Sequence, residues 1–130
     1  MTPETSVFAL IVVLGSVHIV VPDVIQTRIH GVREMVGARD SFRPEDNAYP
    51  GRARRANDNF GETAPWALGL LIIVQWAGVA GAATATGAWL YLVVRLLYLP
   101  LYLVGVPWLR TLAWTVSLVG IAMMLVPLLR

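Results

Sequence analysis

The chain has 130 residues, is 57% hydrophobic, carries a net charge of +2 and contains no cysteine. That length suits one domain, the apolar content is high for a soluble fold, and the missing cysteine excludes disulfides, thiolate ligands and a cysteine nucleophile. A nucleic-acid footprint is excluded as well, because the arginines are interleaved with Glu34, Asp40, Glu45, Asp46, Asp58 and Glu62.

Apolar stretches fall at 7–25, 64–85, 88–106 and 109–129, each near the roughly 20 residues that cross a bilayer as a helix. The sequence therefore predicts an all-α integral membrane four-helix bundle occupying 1–130, with spans at about 6–27, 52–77, 86–106 and 109–129 in a lipid bilayer. A charged connection over 28–51 joins the first two spans.

The first stretch is read as a retained span. Residues 1–6 offer only Glu4 where a signal peptide has basic residues, and no small-residue cleavage site follows. His18, alone on this apolar helix, reads as a hydrogen-bonded packing residue ahead of a ligand. Beyond it, Gly37, Pro44, Asn47, Pro50 and Gly51 interrupt any apolar period, which predicts a long loop. Pro50 then stands where a helix-opening proline would, and the second helix begins with a polar segment through Arg55, Asn59 and Glu62. Residues 78–87, rich in Gly, Ala and Thr, predict a short turn. The third span carries Arg95, Tyr98 and Tyr102 around Pro100, and Arg110 opens the fourth.

Arg28, Arg33, Arg39, Arg43, Arg52, Arg54 and Arg55 all lie in or beside the first connection, and Arg110 follows the third, whereas the second connection has no arginine. By the positive-inside rule, the first and third connections are cytoplasmic and both termini are on the non-cytoplasmic side. Arg55, Asn59, Glu62, Tyr102 and Arg110 then share one membrane face.

Arg55, Asn59 and Glu62 are spaced i, i+4 and i+7, one face of a helix that Arg52 extends toward water. Arg95, Tyr98 and Tyr102 form a similar stripe. Glu62 and Arg95 each lie about 10 Å along their helices from the polar end, so the two charges reach similar depths. One reading has them neutralise each other, since unpaired charges in a membrane are costly. The other gives the surplus donors, Arg52, Arg55, Asn59, Tyr98, Tyr102 and Arg110, a small anionic ligand. Arginine binds carboxylates bidentately and a glutamate can hold an ammonium, which suits a zwitterionic peptide with two carboxylates and an amine.

The segment RARRANDNFGETAP over 52–65 resembles the second-helix signature of the MAPEG family, the membrane-associated proteins in eicosanoid and glutathione metabolism. Arg55, Asn59 and Glu62 reproduce its arginine, asparagine and glutamate. The run from Arg95 through Tyr98 and Tyr102, followed by Arg110, resembles small bacterial members, and the run 37–40 extends the match. The resemblance implies a homotrimer that binds glutathione between subunits near the cytosolic face and sits in a bacterial inner membrane. It implies that Arg52, Arg55, Asn59, Glu62, Arg95, Tyr98 and Tyr102 hold glutathione as co-substrate. Arg110 would stabilise the thiolate, since a thiol near pKa 8.5 is mostly protonated at neutral pH. Asp58 departs from members that are basic there.

The implied activity is that of a glutathione transferase or peroxidase acting on lipophilic electrophiles that enter from the bilayer. A non-catalytic lipid-binding or scaffold protein of the same fold is the alternative. A small transporter or channel is a third class, weakened by the lack of an internal repeat.

Overall fold

The computed structural model describes residues 1–38, 42–43 and 48–130. Among these the chain is helical throughout, with α1 (Pro3–His30), α2 (Val32–Val36), α3 (Ala48–Trp76), α4 (Ala82–Val104) and α5 (Pro107–Leu125), then a 3-10 turn over Val126–Leu129. The helices α1, α3 and α4 pack on one another, and α5 packs chiefly along α4.

The Thr2 hydroxyl caps α1 by accepting the Thr5 N–H at 3.2 Å, and Pro3 takes a first-turn position that needs no intrahelical donor. Glu4, Val7, Ile11, Leu14 and His18 are buried, and their spacing of three and four makes them one stripe. Leu10, Val12, Val13, Ile19 and Val20 are exposed. A helix whose outside is apolar and whose inside holds a glutamate and a histidine reverses the pattern that water imposes, and it suits lipid. The helices beginning at Pro3, Ala82 and Pro107 are long and apolar enough to cross a membrane. By that measure α3 is not among them, since its first half, through Arg52, Arg55 and Glu62, is polar.

Helix occupies both ends of the segment expected as a connection over 28–51. The first helix runs to His30, Gly31 turns the chain at φ +85°, and α2 follows. At the far end α3 opens at Ala48, with Pro50 still in its first turn. Arg39, Asp40, Glu45, Asp46 and the second half of the run 37–40 lie outside the described residues. The turn expected over 78–87 is shorter, because the Thr84 hydroxyl accepts the Gly81 N–H at 2.8 Å and α4 begins at Ala82.

Where α4 crosses α5, two glycines face each other. A Cβ on Gly87 would lie 2.7 Å from the Gly120 carbonyl oxygen, and one on Gly120 equally close to that of Gly87. Small residues at such a crossing let backbones touch, which substitutes dispersion contacts for the missing hydrophobic drive in lipid. Ile11, Leu14, Phe60, Leu71, Tyr91 and Met124 belong to the main core cluster, and Ala56, Tyr98, Leu99 and Ala113 form a second toward the other end.

Candidate functional site

Arg95 is fully buried on the inner face of α4. Its Nη1 donates to Asn59 Oδ1 at 2.8 Å and its Nη2 to the Thr63 hydroxyl at 2.5 Å, both on α3. The Thr63 hydroxyl also meets the Tyr91 hydroxyl at 3.1 Å. The guanidinium lies 5.6 Å from the Tyr91 ring and 5.1 Å from the Tyr98 ring, positions at which aromatic faces attract a cation. Its Nε has no hydrogen-bond partner among the described residues.

Among the described residues no ion pair joins Arg95 to Glu62. Asn59 stands between them, accepting from Arg95 through Oδ1 and donating from Nδ2 to Glu62 Oε2 at 3.3 Å. The amide's two ends thus face a cation and an anion in the orientation each requires. Glu62 itself is exposed. The buried cation is therefore bonded to neutral oxygens, with Asn59 interposed before the Glu62 carboxylate.

Toward the end of α4 the helix continues through Pro100, and Tyr98 and Tyr102 meet edge to face at 5.4 Å. From the first turn of α5 the Arg110 guanidinium lies 4.6 Å from the Tyr102 ring. Asn59, Tyr98, Tyr102, Arg110, Thr111 and Trp114 enclose a polar cavity of about 240 Å³. Trp114 also borders an apolar groove of about 750 Å³ between α3 and α5, along with Glu62, Thr63, Trp66 and Leu118. A polar chamber and an apolar channel thus meet at one side chain. Such a pairing can hold a charged molecule beside a lipophilic one.

Arg52, expected on the ligand-facing stripe, donates from Nη1 to the carbonyls of Leu103 at 3.2 Å and Val104 at 3.4 Å. These belong to the last turn of α4, where carbonyls lack intrahelical partners and cations are favoured. Gly105 turns the chain there at φ +82°, and a Cβ on it would lie 2.6 Å from the Arg52 guanidinium carbon. Arg55 is exposed, one turn before Asn59. Of the expected residues, the structure brings together Asn59, Arg95, Tyr98, Tyr102 and Arg110, with Glu62 at the edge. Sequence reasoning missed Thr63, Tyr91, Thr111 and Trp114. Extending the α4 stripe one turn back from Arg95 finds Tyr91. Nothing local marks Thr63.

The MAPEG family model matches residues 5–130. The chain belongs to the MAPEG family. Neither curated proteins nor solved structures give a match. Membership of the MAPEG family together with three helices long and apolar enough to span a bilayer makes this an integral membrane protein. It also ties the chain to the glutathione-related and eicosanoid chemistry of MAPEG membrane proteins.

Proposed function

We propose that the protein is a glutathione-dependent membrane enzyme, of transferase or peroxidase type, that acts on lipophilic electrophiles. The observation that carries this reading is the junction at Trp114 of the polar cavity holding Arg110 with the apolar groove. Glutathione contributes a thiol nucleophile. Its carboxylates suit Arg55 and the cavity's remaining donors, and its ammonium suits Glu62, with Asn59 and Arg95 beneath them. Tyr98 and Tyr102 wall the chamber. Arg52 acts on this wall through the end of α4. Arg110 favours the thiolate; loss of one pKa unit of that effect corresponds to about 1.4 kcal/mol. In conjugation the sulfur forms a bond to the electrophilic carbon while the leaving group departs or an opened epoxide takes up a proton.

A cavity of about 240 Å³ is smaller than the roughly 300–1,000 Å³ usual for small-molecule sites. This supports a site completed by a neighbouring subunit, in the homotrimer general to such a reading. We further assign four spans, with α3 crossing beside α1 and α4, the arginine-rich connection in the cytoplasm and both termini on the opposite side. The likeness to small bacterial members favours a bacterial inner membrane.

The larger volume of the apolar groove favours a second reading, a non-catalytic lipid-binding protein of the same fold. Calorimetric titration of glutathione into the detergent-solubilised protein separates the two. Saturable binding lost in Arg55→Ala and in Glu62→Gln is expected; heat no greater than dilution in the wild type removes the glutathione reading.

A further inference from the structure

Glu4 is 2% exposed and sits where three helices end, in the first turn of α1 against the last turn of α3 and the first of α4. Its Oε1 accepts from the Thr84 hydroxyl at 2.7 Å and its Oε2 from Gln75 Nε2 at 3.4 Å. Both partners are neutral, and both are shared. Thr84 has one hydroxyl proton to give, and its Oγ1 also lies 2.8 Å from the Gly81 carbonyl oxygen; the Gln75 Nε2 is 2.6 Å from the Thr2 hydroxyl. A carboxylate has about four acceptor positions, so this one is under-filled. No cation pairs with it among the described residues. The N-terminus of α1 adds about half a unit of positive charge beside this carboxyl group.

Glu4 also lines a cleft of about 480 Å³ together with Phe8, Leu71, Ile72, Gln75 and Trp76. Ile72 is 58% and Trp76 87% exposed in the single chain, so the cleft opens on the apolar surface of the subunit. None of its lining residues is basic. A zwitterionic lipid would bring a phosphate toward the carboxylate with nothing to receive it. An ammonium carried on an apolar chain meets complementary charge at Glu4, two aromatic side chains that favour cations, and an aliphatic wall for its tail.

We propose that this cleft is a binding site for an amphiphilic monocation, an alkylammonium whose head pairs with Glu4 and whose chain lies along Phe8, Leu71 and Trp76 toward the lipid. The site lies at the opposite end of the bundle from the arginine cluster, so it is separate from the proposed glutathione site and independent of that reading.

The test is thermal unfolding of the full chain in dodecyl maltoside micelles, titrated with octylamine and, at equal chain length, with octanol and octanoate. A saturable rise in Tm with octylamine alone is expected. Glu4→Gln keeps the shape of the hydrogen-bonded group and should weaken octylamine by about tenfold or more. Ile72→Trp fills the mouth from an exposed position without touching the carboxylate, and should also abolish the shift, which keeps the idea testable if Glu4→Gln does not fold. An equal shift with octanol, or undiminished octylamine binding in either folded variant, overturns the proposal.

Discussion

At one end of the bundle Gly87 and Gly120 bring the α4 and α5 backbones into contact and Glu4 ties α1, α3 and α4 together. At the other, about 27 Å along α4 from Thr84 to Tyr102, Tyr102 and Arg110 stand around a cavity. Each half holds a buried ionisable group, the acid Glu4 or the base Arg95, that is hydrogen-bonded to neutral side chains among the described residues. Burial of such groups is costly unless they are well hydrogen-bonded. The first end is closed at its glycine crossing, and there Glu4, although it borders a cleft, is bonded to groups that knit helices, whereas the open end leaves donors facing space. Packing and chemistry are thus segregated along the bundle axis, and substitutions at the two ends should separate stability from turnover.

The largest stability effect is expected at the closed end. Gly120→Val places a branched side chain where even a Cβ would lie 2.7 Å from the Gly87 carbonyl and 3.0 Å from the Tyr91 nitrogen. Neither backbone atom can move without shifting a helix, so a loss of about 3 kcal/mol is expected, read as a large fall in Tm in detergent. A change in Tm within error would mean that the crossing is loose.

The open end should behave in the opposite way. Arg110→Ala removes a half-buried guanidinium stacked on Tyr102 and should leave Tm nearly unchanged. Glutathione affinity should stay within about threefold, while turnover with a lipophilic electrophile falls about tenfold for each pKa unit of thiolate stabilisation that is lost. Equal turnover in variant and wild type would remove the thiolate role from Arg110.

Much of this contrast was legible in the sequence, and the rest was not for identifiable reasons. Arg95, Tyr98 and Tyr102 stand out because polar residues in an apolar run are conspicuous, and their helical spacing places them together. The all-helical character, the membrane setting and the MAPEG family follow from such patterns. The interposition of Asn59 between Arg95 and Glu62 depends on how α3 and α4 are rotated against each other, which spacing within each helix does not specify. Glu4 read only as a residue unsuited to a signal peptide, since Gln75 and Thr84 are 71 and 80 residues away. Its role appears only once three helix ends are brought together.

A smaller effect is expected on returning to the closed end. Thr84→Val keeps the shape of the side chain but removes the hydroxyl that caps Gly81 and donates to Glu4. Leaving a buried acceptor unsatisfied costs about 1–3 kcal/mol. A drop in Tm smaller than that of Gly120→Val is expected, together with accelerated amide hydrogen exchange over the first turns of α1 and α4. Exchange that speeds up only at the Arg110 end would contradict the assignment of Thr84 to the closed end.

The smallest effect concerns Arg52, which belongs to the open end by position but to packing by its contacts. Its guanidinium satisfies carbonyls of Leu103 and Val104 at the terminus of α4, bonds whose net worth is about 1 kcal/mol. Arg52→Ala should lower Tm by an amount of that order and weaken glutathione only slightly, through a less firmly held Tyr102. Arg52→Lys keeps the charge that the helix C-terminus favours but not the fork that reaches two carbonyls, so it should recover part of the stability. If instead Arg52→Ala abolished glutathione binding while Tm stayed constant, Arg52 would belong to the ligand wall, and the boundary between packing and chemistry would move one helical turn outward.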